Sequence, residues 1–203
     1  TALMFMNPEA FARMQIAAAT NARPTLVVGV DFLFWFCYGD ARSDAERAQR
    51  FESGLKLLDQ IRCPLVIGDI PDASAATNTG IISSEMVPST AARLAANKRL
   101  QSWAAAHPQD TIVPLAAFMR ATMANQAVTI HGRVLAAGKT RGLIQDDQLH
   151  PNPRGAAVLT LGILDALVAK QPEFPAADVR GNPQEVFQLG WKSAQTPAPH
   201  GAQ

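Results

Sequence analysis

The chain has 203 residues, 48% of them hydrophobic and 17% charged, with a net charge of +1. This is enough apolar material for one sizeable core, and it excludes both a disordered chain and a protein that holds nucleic acid through net positive charge. No apolar run reaches the roughly 18 residues that a membrane-crossing helix needs. The sequence opens without a Met or a signal peptide, so a processed or truncated chain is expected.

From the N-terminus, residues 7–21 carry Pro8 at the start and Phe11, Met14 and Ile16 at helical spacing, which predicts an amphipathic helix. Residues 25–35, TLVVGVDFLFW, form a near-continuous apolar run, the pattern of a strand buried on both faces of a parallel sheet. Its single acid, Asp31, is expected at the carboxyl end of the strand, where sites form in open α/β sheets; the alternative is a buried, hydrogen-bonded carboxylate. Phe32, Phe34, Trp35, Phe36 and Tyr38 are expected to pack in the core, with a substrate-binding wall as the alternative.

Residues 44–62 predict a helix through Ala45, Ala48, Phe51, Leu55, Leu58 and Ile61. The strand expected at 63–70 ends in the polar tip Gly68-Asp69-Ile70-Pro71-Asp72 and leads into a small-residue loop, 74–84. A helix at 88–107 places Leu94, Leu100 and Trp103 on its apolar face, and residues 111–118 read as a third strand. Alternation around His131-Gly132 predicts a hairpin over 127–135, with His131 exposed at its tip and cleft lining as the alternative. Cys37 and Cys63 lie beside apolar runs and are expected as buried free thiols, with a disulfide left open.

Residues 143–157, LIQDDQLHPNPRGAA, concentrate the chemistry. Asp147 and His150 stand three apart, so a tight turn lets a carboxylate fix the imidazole tautomer and stabilise the imidazolium formed on proton uptake. Asn152 and Pro153 supply a cap and a first turn for a helix running to about Lys170, which would hold the loop rigidly. Residues 1–170 are expected as a single domain. Residues 171–203 are expected as a Pro- and Gly-rich extension with a short helix around 184–191 and a disordered end.

Strand and helix alternate throughout, which predicts a parallel sheet with strands 25–32, 63–67 and 111–115 as neighbours and helices on both faces. This order, with D-x-x-H before the last helix, resembles the later part of the SGNH (GDSL-like) hydrolases. The resemblance implies a three-layer α/β/α, flavodoxin-like fold and acyl-ester hydrolysis by a Ser-Asp-His triad, with Asp147 and His150 in the Asp and His places. It puts Gly29 and Asp31 in the oxyanion-hole block G-x-N-D, where Asp31 replaces the family's asparagine. The family's G-D-S block does not precede residue 25. Ala41 stands where serine would be in Tyr38-Gly39-Asp40-Ala41, and none of Ser43, Ser53, Ser74, Ser83 or Ser84 is marked as a nucleophile. Either the first strand and its serine are missing from this chain, or catalysis lies elsewhere.

Two rival readings stand beside this one. Gly68-Asp69-Ile70-Pro71-Asp72 fits the G-D-x-x-D block of metallophosphoesterases, and Asp69, Asp72, Asp146, Asp147 and His150 would offer oxygen ligands and one imidazole. That family's other blocks are absent, and Asp69 and Asp72 equally read as loop caps lining a cleft. The third reading is a non-catalytic binding domain on the same fold. The expected partner is a small-molecule ester, with no cofactor, metal or nucleic acid.

Overall fold

The structure, a computed structural model, describes residues 7–171 together with residues 184–186 and 188. The chain divides into two compact units, Thr1–Arg120 and Ala121–Gln203.

The first unit is a mixed α/β arrangement. Helix α1 (Pro8–Asn21) starts where the Asn7 side chain accepts the Ala10 N–H at 3.1 Å. Strands β1 (Val27–Gly29), β2 (Leu65–Gly68) and β3 (Thr111–Val113) form a parallel three-stranded sheet in that order, with Val27 opposite Leu65 and Val66 opposite Thr111. The expected neighbours and their direction are therefore present. Burial on both faces belongs to β2, which is buried at every position, whereas among the described residues β1 lies at the sheet edge.

The apolar run 25–35 is not one strand. After Gly29 the chain turns and forms a short helix, α2 (Phe34–Cys37). The Gly68 N–H donates to Val30 O at 3.1 Å, and a Cβ on Gly68 would come within 2.4 Å of that oxygen. Only glycine allows so close an approach, and it draws the chain over the end of β2. The aromatics then bury as a cluster, with Phe34 stacked on Tyr38 at 4.2 Å and the Tyr38 hydroxyl donating to Pro71 O and accepting from Ala73 N–H. Apolarity here signals core, and periodicity alone does not distinguish a buried strand from a buried turn and helix.

Helix α3 (Asp44–Leu58) is capped by Ser43, and α4 (Thr90–Ala105) by Ser89. Leu100 and Trp103 face the core, while Leu94 is 58% exposed, contrary to its expected place on the buried face. The third expected strand also shortens. It stops at Val113, and helix α5 (Leu115–Met123) begins directly after Pro114, which cannot donate to a ladder. Buried Arg47 of α3 donates to the carbonyls of Cys37, Gly39, Glu85 and Met86, tying the segment after α2 to residues 85–86. Cys37 is buried, Cys63 half-buried, and both are free thiols.

The second unit contains the expected hairpin. Strands β4 (Val128–Ile130) and β5 (Arg133–Leu135) pair antiparallel, and His131 and Gly132 both have positive φ, as a two-residue primed turn requires. Helix α6 (Pro153–Lys170) has Pro at its first position and the Asn152 side chain accepting the Gly155 N–H at 3.0 Å. Of the short helix expected at 184–191, residues 184–186 and 188 are helical; the expected disordered end lies outside the described residues.

Candidate functional site

The loop between the short 3-10 turn Thr140–Leu143 and α6 is closed at its base by Ile144 pairing with Pro151 and by two backbone bonds, Gln145 N–H to His150 O and Asn152 N–H to Leu143 O. Asn152 also donates from its side chain to Gly142 O. Within this frame Asp147 Oδ1 accepts the N–H groups of Leu149 and His150 at 3.0 and 2.9 Å, and His150 Nδ1 lies 2.7 Å from Asp147 Oδ2. The expected pairing is present, and the backbone bonds explain it: a D-x-x-H turn uses the carboxylate first as the turn's own cap.

Burial pushes the Asp147 carboxyl up, but the Leu149 and His150 N–H groups and the His150 ring outweigh it, and its pKa lies below the usual aspartate value. A carboxylate at Nδ1 selects the tautomer with its proton there, leaving Nε2 with the lone pair. The His150 side chain is 57% exposed, so that nitrogen is open to a reactant. The arrangement can take a proton and hold the resulting charge.

Gly29 ends β1, and Asp31 follows in the turn beyond it, at the carboxyl side of the strand as expected. Its carboxylate is exposed and lies 3.4 Å from the Trp35 indole N–H. Asp69 follows β2, and its Oδ1 accepts the Ala116 N–H at 2.7 Å, capping α5 from another strand. Burial raises the Asp69 pKa, opposed by the N–H groups of Ala116 and Leu115. Asp72 accepts the Ser74 N–H and pairs with Arg93 at 2.9 Å. Burial pushes its carboxyl up, but the Ser74 bonds and Arg93 prevail and lower its pKa. Asp72 thus takes the loop-capping role weighed from sequence, whereas Asp69 caps the start of a helix distant in sequence. Among the described residues no group of three or more His, Cys, Asp or Glu is placed to hold a metal ion. Asp147 and His150 belong to the second unit, and Gly29, Asp31, Asp69 and Asp72 to the first.

No protein-family model, curated protein or solved structure matches the chain. The site therefore stands on its own geometry.

Among the described serines, Ser43 and Ser89 cap helices, Ser89 also donates to Asp44, Ser84 donates to Glu85, and Ser102 donates to Lys98 O. The partners of the described histidine rings are Trp103 O and the Asp59 carboxylate for His107, Asp165 for His131 and Asp147 for His150. Sequence reasoning missed the Asp165 pairing and treated His131 as an exposed tip. Its Nδ1 lies 2.7 Å from Asp165 Oδ1, and its side chain is 25% exposed. The available signal was Asp165 itself, a lone acid in the apolar stretch LGILDALV.

Proposed function

We propose that the chain carries the acid–base half of a carboxylic-ester hydrolase of the SGNH type, with His150 as general base and Asp147 as the residue that orients it. The observation that carries this reading is the two-point hold of Asp147 on His150, which fixes the ring while leaving Nε2 exposed. In the reaction a serine hydroxyl gives its proton to His150 Nε2 as its oxygen attacks the ester carbonyl carbon. The imidazolium then returns that proton to the departing alcohol, and water repeats the sequence to free the acid. None of Ser43, Ser53, Ser74, Ser83 and Ser84 is assigned as the nucleophile. Asp31 in the oxyanion-hole position would repel a developing oxyanion unless turned aside, and its proximity to the Trp35 indole N–H gives it another partner.

The test is labelling by a fluorophosphonate probe, together with hydrolysis of short-chain p-nitrophenyl esters, on this chain and on the product of its complete reading frame. A labelled serine in the complete product, and a loss of roughly 10³-fold in kcat with His150→Ala, are the expected results. No labelling and no hydrolysis in either would overturn the reading in favour of a binding domain. A metal-dependent phosphoesterase has less support, because Asp69 and Asp72 already serve as a helix cap and an ion-paired turn.

A further inference from the structure

Asn152 stands two residues after His150, at the junction where the His150 loop enters α6. Its backbone and side chain together use four hydrogen-bonding groups, two on each side of that junction. Toward the 3-10 turn, its backbone N–H donates to Leu143 O at 2.9 Å and its Nδ2 donates to Gly142 O at 2.7 Å. Toward the helix, its Oδ1 accepts the Gly155 N–H at 3.0 Å and its carbonyl accepts the Ala156 N–H at 2.8 Å. The side-chain amide fits only this way round, because a flipped amide would set its oxygen against a carbonyl and its nitrogen against an N–H.

A helix cap needs only an acceptor, and serine or aspartate supplies one equally well. The Nδ2 bond is therefore surplus to capping, and it lands on the turn from which the His150 loop departs. That turn runs directly into Gln145, whose N–H holds His150 O at 2.8 Å and whose side chain holds Pro151 O at 3.0 Å. His150 thus hangs between two arms of chain, and Asn152 ties one arm to the other. The junction has no slack: a Cβ on Gly155 would meet Leu143 O at 2.0 Å and Pro151 Cβ at 3.0 Å. Asp147 meets both the N–H and the Nδ1 of His150 only while the His150 backbone keeps its place. In a catalytic group a misplacement of about 1 Å can cost about 10²-fold in rate.

We propose that Asn152 is a positioning residue for His150, acting through its Nδ2 tie to Gly142 and not through its cap on α6; this rests on His150 being the general base proposed above. Asn152→Asp separates the two roles. It keeps an acceptor for the Gly155 N–H and sets a carboxylate oxygen against Gly142 O, where the two repel. Asn152→Ser also keeps a cap, but offers one polar atom where asparagine offers two. The test is NMR on the whole chain and on both variants. It reads the His150 tautomer from the ring nitrogens at a pH where the ring is neutral, and amide exchange at His150 and at Leu161, which is buried in α6. In the unaltered chain the ring proton should sit on Nδ1 alone. Both variants should show a mixture of tautomers and about tenfold faster exchange at His150, while Leu161 keeps its protection. In the product of the complete reading frame, both should lower kcat about tenfold and leave KM within about twofold. A single Nδ1–H tautomer with unchanged His150 exchange in both variants overturns the proposal and leaves Asn152 as a cap alone. Loss of protection at Leu161 in both also overturns it, because the side chain would then be holding the helix itself. Where the two variants differ, Asn152→Ser decides, since it adds no charge. The ring measurement needs no turnover, so a product without esterase activity overturns the hydrolase proposal while the NMR still decides what Asn152 does to His150.

Discussion

The backbone N–H and the ring Nδ1 of His131 both meet the carboxylate of Asp165, so the tip of the β4–β5 hairpin is clasped to α6 at two points. His131 has φ +50, a left-handed conformation that histidine tolerates better than β-branched residues do. A two-stranded hairpin is marginal alone, and the clasp supplies part of what holds it. Asp165→Ala should therefore lower stability by about 1–3 kcal/mol by leaving the His131 N–H unpaired. His131→Val should cost more than His131→Asn. Denaturant unfolding of the three variants checks this, and equal losses for Val and Asn would contradict it.

Asp147 has a pKa below the usual aspartate value, so its hydrogen bonds contribute stability that is complete above the unfolded value, near 3.9, and is lost as pH falls through the lower folded value. The Leu149 and His150 amide resonances should hold constant at pH 5 and move only below about pH 4. Asp147→Asn should remove that transition. A midpoint at or above the ordinary aspartate range would show that the turn does not stabilise the carboxylate.

Burial pushes the Cys37 thiol up to about 12, against the pull of Arg47 and Arg93. A raised pKa means its contribution to stability is complete below the unfolded value, about 8.5, and is lost as pH climbs from there toward 12. At pH 8 a thiol reagent should modify half-buried Cys63 in the folded protein and reach Cys37 only on unfolding. Two equally fast thiols would refute this.

Gly155 lies in the first turn of α6 where a Cβ would stand 2.0 Å from Leu143 O. Neither backbone can yield without opening the base of the His150 loop. Gly155→Ala should cost about 1–3 kcal/mol and disturb the Asp147–His150 pair, seen as a lower Tm and shifted His150 ring resonances. A silent Gly155→Ala would mean that the helix start can slide.

Replacing Arg47 with Met removes the guanidinium from the carbonyls of Cys37, Gly39, Glu85 and Met86. Groups that stay buried would lose their donors, at a cost of about 3 kcal/mol. Residues 37–40 and 85–86 should then exchange amide hydrogens faster than β2 does, and uniform exchange would count against Arg47 as their tie.

Much of the first unit and of the His150 loop was legible in the sequence, because the signals are local. The helix cap at Asn152, the primed turn at His131-Gly132 and the D-x-x-H turn each depend on residues within four positions of one another. The parallel order of the strands followed from apolar runs separated by amphipathic helices. Tertiary structure decided what sequence spacing does not encode. Gly68 donates its N–H to the Val30 carbonyl and turns the aromatic run out of the sheet, Asp69 leaves β2 to cap α5, and Asp165 reaches His131 across the second unit. In each case a hydrogen-bonding group found its partner through packing of distant segments, and the apolar pattern that marks a residue as buried carries no information about which polar group it will meet.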